Sequence, residues 1–201
     1  MLLSSHQQLC AVALPYMGRR HYMHSFDLSK PVMRKGFEDY ASIVAALCAA
    51  AGAKEGTAHM TVDEIVVKAG RSQRRPGPHV DGCFIPGKKH RYIKDAIGDW
   101  GGGGGWLHYC NDVGRGPVQR MAVIVVASEP GCRVWNGKFT GEPTKDGDLQ
   151  HISQQLDEGT ILPRNVGFLL SPDCVHESIV LKENTQRTFL RIALPNRGAI
   201  Q

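Results

Sequence analysis

The sequence lacks several features that would assign it to a common functional class. Its six cysteines include no C-x-x-C pair and no zinc-ribbon spacing, which argues against a small structural zinc site. No apolar run approaches the roughly 20 residues that a membrane-spanning helix requires. With 201 residues, 42% of them hydrophobic, the chain is predicted to fold as a single domain over 1–201. Scattered cysteines in a chain of this length favour reduced thiols, so a cytoplasmic protein with no membrane partner is expected.

The glycine-rich segment 98–116 lacks the signature of a phosphate-binding loop. Its five consecutive glycines, 101–105, are not followed by Gly-Lys-Ser or Gly-Lys-Thr. A run of glycines loses much backbone entropy when it is fixed in a helix or strand. The segment is therefore predicted to be a loop.

Apolar periodicity predicts one helix followed by several short strands. Residues 36–53, GFEDYASIVAALCAAAGA, place apolar side chains at helical spacing, and we expect a supporting helix there. A β-rich core is expected over 59–195, where short β-branched and apolar runs alternate with turn residues. Because these strands do not alternate with helices, the pattern favours an antiparallel sandwich or barrel. The N-terminus lacks an early positive charge and is interpreted as part of the fold, not a signal peptide.

The segment 74–84, RRPGPHVDGCF, contains two candidate metal ligands. His79 and Asp81 are two residues apart, so on an extended backbone their side chains point to the same side. A facial non-haem iron site takes two histidines and one carboxylate and leaves positions open for substrate and oxygen. His176, at the start of the strand-like run 174–182, offers the second histidine. His79, Asp81 and His176 are therefore the candidate iron ligands and catalytic residues.

Two arginines occur in the last predicted strand, RTFLRIAL (187–194). Strand alternation places Arg187, Phe189 and Arg191 on one face. A guanidinium is the cation that best matches a carboxylate, because its planar fork donates two parallel hydrogen bonds. The pattern predicts a carboxylate-binding arginine and leaves open whether it is Arg187 or Arg191.

The order His-x-Asp, distal histidine, then arginine resembles the iron(II)- and 2-oxoglutarate-dependent oxygenase superfamily. The resemblance covers mainly residues 60–195. It implies a double-stranded β-helix (a cupin-like jelly roll) that is mainly β with supporting helices. It also implies a dioxygenase that uses O2 and 2-oxoglutarate, hydroxylates or oxidatively demethylates its substrate, and releases succinate and carbon dioxide. In that case iron is held by His79, Asp81 and His176, and 2-oxoglutarate by Arg187 or Arg191.

The sequence leaves alternatives open both for the substrate and for the functional class of the protein. Basic clusters at 70–77 and 87–94 flank the His-x-Asp segment and favour an anionic substrate, either a small molecule or a nucleotide or nucleic acid. A cupin-type metal dioxygenase or isomerase that does not use 2-oxoglutarate would fit the same barrel. A metal-free jelly-roll binding domain is the third alternative.

Overall fold

The computed structural model describes residues 1–81, 84–89, 97–100, 121–144 and 147–194, with backbone alone for 84–89 and 97–100. In these residues the prediction of a mainly β chain with antiparallel sheets is confirmed. One α-helix is described, α1 (Ala41–Ala50), and 3-10 turns span Glu38–Tyr40 and Gln150–Gln155. The strands are β1 (Leu2–Ser4), β2 (His6–Ala11), β3 (Arg20–Asp27), β4 (Thr57–Val67), β5 (Phe84–Lys89), β6 (Ile97–Trp100), β7 (Val123–Ala127), β8 (Cys132–Trp135), β9 (Gly137–Phe139), β10 (Thr160–Ile161), β11 (Val166–Leu170), β12 (Val175–Ser178) and β13 (Thr185–Ala193).

The largest sheet has six antiparallel strands in the order β2-β11-β7-β13-β4-β3. Strand β13 lies inside it and pairs with β4 along its whole length and with β7 from Phe189 to Ala193. Both faces of β13 are covered, so seven consecutive residues from Arg187 onward are buried. This double burial explains why the strand reads as an apolar run, and it makes the two arginines within it unusual.

Helix α1 covers one face of the six-stranded sheet and lies within the predicted segment 36–53. Val44 and Leu47 of the helix are fully buried in one apolar cluster with Val62 of β4 and Ile192 of β13. Strand β11 contributes Gly167 at the closest approach, where an added Cβ would collide with the Leu47 side chain. The helix therefore packs directly onto the sheet backbone at this point.

A second antiparallel sheet, β10-β8-β12, lies on the other side of the six-stranded sheet. One apolar cluster contains Val134 of this sheet together with Val125 and Phe189 of the larger one, so the two sheets enclose it. His79 extends the smaller sheet through isolated bridges to His176 and to Asp148. The segment that carries His79 is thereby fixed at the edge of the second core.

The N-terminal residues, whose role the sequence leaves open, form strands. Strand β1 pairs with β9, and β2 and β3 form the two edges of the six-stranded sheet. A bulge in β3 gives the buried Met23 a φ of 59°, and its sulfur lies 3.8 Å from Nη2 of Arg191. The bulge thus directs one more apolar side chain toward the candidate site.

The predicted loop 98–116 overlaps the end of a strand. Residues 98–100 belong to β6, which pairs with β5, and 101–116 lie outside the described residues. The glycine run begins only at residue 101, so the preceding backbone is able to pair. No helix in the described ranges is long and apolar enough to cross a membrane. Within them, Cys10, Cys48, Cys132 and Cys174 form no disulfide.

Candidate functional site

His79 and His176 lie side by side on neighbouring extended segments. The backbone N–H of each donates to the carbonyl of the other, with both N–O distances 2.9 Å. This is the hydrogen-bonded pairing of an antiparallel ladder, and it sets the two side chains next to each other. Their ring centroids are 4.4 Å apart, and both residues are buried. Two of the three predicted metal ligands, distant in sequence, are therefore adjacent.

Backbone carbonyls determine the tautomer of both imidazoles. Nδ1 of His79 lies 2.7 Å from the carbonyl oxygen of Gly77, and Nδ1 of His176 lies 2.9 Å from that of Cys174. A carbonyl oxygen only accepts, so each Nδ1 must donate, and in the neutral ring this leaves the lone pair on Nε2. Metal-binding histidines are oriented by the same kind of hydrogen bond. Burial, and then the neighbouring His176, lowers the pKa of His79 to about 3, so this ring is neutral at physiological pH.

Asp81 lies near the two histidines, but its carboxylate is paired with an arginine. Nη1 of Arg191 donates to Oδ1 of Asp81 at 3.1 Å, and the two side chains are 9% and 13% exposed. Burial opposes the charged carboxylate, but the charge of Arg191 outweighs it, and the pKa of Asp81 is lowered. In the described part of the chain, no three histidine, cysteine, aspartate or glutamate side chains form a group that could hold a metal ion. The structure brings the two imidazoles together and directs the third predicted ligand to Arg191.

Arg187 is a buried cation held by neutral acceptors. It is 1% exposed; its Nε donates to the carbonyl oxygen of Glu129 at 2.9 Å, and its Nη1 donates to the side-chain oxygen of Gln73. Among the described residues it makes no ion pair. Burial lowers the pKa of Arg187 to about 10, yet the group stays protonated at neutral pH. A buried charge without a counterion is costly, which favours an anionic ligand at this position.

A narrow, partly open pocket of about 10 Å³, roughly the space of one water molecule, adjoins Arg187. Its walls are mostly apolar and include Val125, Leu162 and Phe189. A Cβ added at Gly131 would lie 2.7 Å from Nη2 of Arg187, so glycine leaves the guanidinium its space. Apolar walls with one buried cation favour a carboxylate as ligand, and a molecule larger than water enters only if these walls move apart.

A further set of polar residues adjoins Phe189. Nε of Arg20 pairs with Oδ1 of the buried Asp63 at 2.7 Å, and Nη1 of Arg74 lies 3.8 Å from Oδ2 of the same carboxylate. The Arg74 guanidinium carbon lies 5.7 Å from the ring centroid of Tyr22 and 5.5 Å from that of Phe189. Arg74 belongs to the basic cluster 70–77, so the sequence carried a signal for it. Asp63 and Tyr22 lie within strands and carried no such signal.

Comparison of the chain with known protein families, with characterised proteins and with solved structures finds no match. Inference about function therefore depends on the site itself: two oriented imidazoles, a buried arginine that makes no ion pair with any described residue, and the pocket beside it.

Proposed function

We propose that the protein is an iron(II)- and 2-oxoglutarate-dependent dioxygenase that hydroxylates, or oxidatively demethylates, an anionic substrate and releases succinate and carbon dioxide. The observation that carries the proposal is the buried His79–His176 pair, in which both Nδ1 atoms donate to backbone carbonyls. Packing alone does not require two adjacent imidazoles to keep both Nε2 lone pairs available. Coordination of one metal ion by both Nε2 atoms would explain the arrangement.

His79 and His176 would hold the iron through Nε2, and Asp81, which pairs with Arg191 in this structure, would be the third ligand. Iron with 2-oxoglutarate, when bound, supplies the oxidative decarboxylation that activates oxygen for attack on a C–H bond. The protein's own contribution is to bind, orient and exclude water. His79 and His176 hold their tautomers, and the apolar pocket walls limit the access of water.

Arg187 is the better candidate for the distal carboxylate of 2-oxoglutarate. Arg187 lines the pocket and bonds only to neutral acceptors in the described residues, whereas Arg191 is not among the described residues that line the pocket. The acceptors at Nε and Nη1 hold the guanidinium in place, and Nη2 stays available for a carboxylate oxygen.

The arrangement of the sheets supports a double-stranded β-helix, the cupin-like jelly roll, as the fold. A six-stranded and a three-stranded antiparallel sheet enclose an apolar cluster, and α1 supports the outer face of the larger sheet. The scattered spacing of the six cysteines favours reduced thiols and supports a cytoplasmic location.

Iron binding tests the proposal. Anaerobic equilibrium dialysis of the full chain against iron(II) should give stoichiometric binding. His79→Ala and His176→Ala should each weaken binding by at least about tenfold, since loss of an outer-shell partner alone costs that much. His151→Ala, at an exposed histidine, is the matched control and should bind like the wild type.

Succinate formation then separates the alternatives. Protein with iron(II), 2-oxoglutarate and O2 should convert 2-oxoglutarate to succinate, and His79→Ala should not. Iron binding with neither 2-oxoglutarate binding nor succinate would instead indicate a cupin-type metal dioxygenase or isomerase. A protein that binds no iron would be a metal-free jelly-roll binding domain, and the proposal would be wrong.

A further inference from the structure

Guanidiniums and aromatic rings alternate from the surface toward the candidate site. The Arg20 guanidinium carbon lies 5.6 Å from the Tyr22 ring centroid, and that of Arg74 lies 5.7 Å from Tyr22 and 5.5 Å from Phe189. Arg187 lies on the far side of this series, 6.0 Å from the Phe189 centroid. The side chain of Arg20 is 54% exposed and that of Arg74 is 30% exposed. The series therefore connects solvent with the buried Arg187.

Among the described residues, the arginines in this region outnumber the carboxylates that pair with them. We define the arginine cluster as the four guanidiniums that stack on Phe189 or pair with Asp63 or Asp81: Arg20, Arg74, Arg187 and Arg191. Asp63 and Asp81 are the carboxylates that pair with this cluster among the described residues. Asp63 serves two guanidiniums, close to Arg20 and more distant from Arg74. Arg74 is therefore only partly neutralised.

The excess remains when the cofactors of the proposed function are added. Iron(II) carries two positive charges and 2-oxoglutarate two negative ones, so loading both leaves the balance unchanged. In a partly buried site such an excess is stabilised by an anion. The primary substrate is the remaining ligand, and an anionic group on it would supply the balancing negative charge.

We propose that Arg74, with Arg20 and Tyr22, binds an oxyanion group of the primary substrate, a phosphate or a carboxylate. Guanidiniums match both groups through paired N–H donors. Nη2 of Arg20 donates to the phenol oxygen of Tyr22 at 2.5 Å, which orients the hydroxyl so that its own proton can be given to a ligand. The assignment of this anion to the substrate rests on the proposed function; the anion site itself does not.

Titration with inorganic phosphate, and separately with acetate, tests the site. The metal-free full chain is titrated at low ionic strength, with heat of binding and melting temperature as readouts. Wild type should bind phosphate saturably, and Arg74→Gln and Arg20→Gln should each weaken binding by about tenfold, the effect of losing a charge-assisted hydrogen bond. Lys54→Gln, at an exposed lysine, removes the same charge elsewhere and should change nothing. If acetate binds as tightly as phosphate, the substrate group at this site is assigned as a carboxylate. If acetate binds more weakly, the group is assigned as a phosphate.

Several outcomes overturn the inference: no saturable binding of either anion, equal binding by all variants, or a loss confined to Arg187→Gln. If Arg74→Gln lowers the melting temperature, Tyr22→Phe gives a second reading, because it keeps the ring and removes only the hydroxyl. The proposed function is tested separately by iron and 2-oxoglutarate binding to the wild-type chain. If the chain binds phosphate but no iron, the proposed enzyme function is wrong and the anion site stands. If it binds iron but no phosphate, the anion site is wrong and the proposed function stands.

Discussion

The buried guanidinium of Arg187 is the single group whose neighbours argue most directly for a ligand. Its acceptors are a backbone carbonyl and the amide oxygen of Gln73, and both are neutral. Introducing a carboxylate at Gln73 would neutralise the cation from within the protein. It would then compete with any ligand that Arg187 binds.

We therefore expect Gln73→Glu to weaken 2-oxoglutarate binding by at least about tenfold, because an internal ion pair occupies the guanidinium. Calorimetry with the iron-loaded, anaerobic protein measures the affinity. Gln186→Glu is the matched control: the same chemical change, next to Arg187 in sequence, on an exposed position. Equal affinity of Gln73→Glu and wild type would show that Arg187 does not hold the carboxylate.

The Asp81–Arg191 pair predicts a large effect on stability. Arg191→Met leaves a largely buried carboxylate without its main counter-charge and should destabilise the fold by about 3 kcal/mol in urea unfolding. Adding Asp81→Asn should recover part of that loss. Arg164→Met, at an exposed pair with Glu129 of 3.9 Å, should cost no more than about 0.5 kcal/mol. Equal effects at the two pairs would contradict the account of Asp81.

At the scale of elements, the contact between α1 and β11 holds the helix on the sheet. Gly167→Ala should destabilise the protein by about 1–3 kcal/mol, because its Cβ meets the buried Leu47 side chain. Leu47→Val should lower the free energy of unfolding less in the Gly167→Ala background than in wild type, because the smaller side chain makes room for the added Cβ. A double-mutant cycle by urea unfolding measures this coupling, and additive effects would show that the helix can move away from the strand.

A second junction ties the N-terminal segment and the start of the helix to β4 through Glu64. Its carboxylate accepts hydrogen bonds from the N–H groups of Met17 and Arg19 at 2.6 and 2.8 Å, from the Arg19 guanidinium at 3.0 Å and from the Tyr40 hydroxyl at 2.7 Å. Burial alone would raise the pKa of Glu64, but these donors lower it below its ordinary 4.5. Its contribution to stability is therefore complete above that value and is lost as the pH falls through the lower folded-state pKa.

Glu64→Gln should consequently cost about 2 kcal/mol at neutral pH, because it exchanges charge-assisted hydrogen bonds for neutral ones. It should also flatten the fall in stability as the pH drops below 4.5, the ordinary pKa of the Glu64 carboxyl. Urea unfolding from neutral pH down through that acid range measures both effects. Glu183→Gln, at an exposed carboxylate, is the control and should keep the wild-type profile. An unchanged acid profile in Glu64→Gln would assign the pH dependence to other groups.

At the scale of the whole molecule, local patterns predicted the elements better than the contacts between them. The apolar runs of β7 and β13 and the alanine-rich helix are visible in sequence because burial sets their composition. Strand β2, HQQLCA, is an edge strand with mixed polarity, so its sequence resembles a loop. The alternation of β13 correctly places Arg187 and Arg191 on one face. Their different partners follow from distant segments, which a single sequence does not reveal.

In the candidate site, too, some features could be predicted from the sequence and others could not. The spacing of His79 and Asp81 suggested a shared metal, and the antiparallel pairing brings His79 to His176. The Asp81–Arg191 pair and the Gln73–Arg187 hydrogen bond are contacts between remote positions, with no local signal for either. The sequence was thus enough to select the candidate site residues. Which charged groups pair with each other could be seen only in the folded structure.

One measurement tests the central claim most directly: titration of 2-oxoglutarate into the iron(II)-loaded protein without oxygen, followed by the visible spectrum. A metal-to-ligand absorption band that develops saturably, disappears in His176→Ala and requires a much higher 2-oxoglutarate concentration in Arg187→Gln is the predicted result. It would mean that the histidine pair holds the iron and Arg187 holds the co-substrate. A wild-type spectrum that does not change would contradict the account.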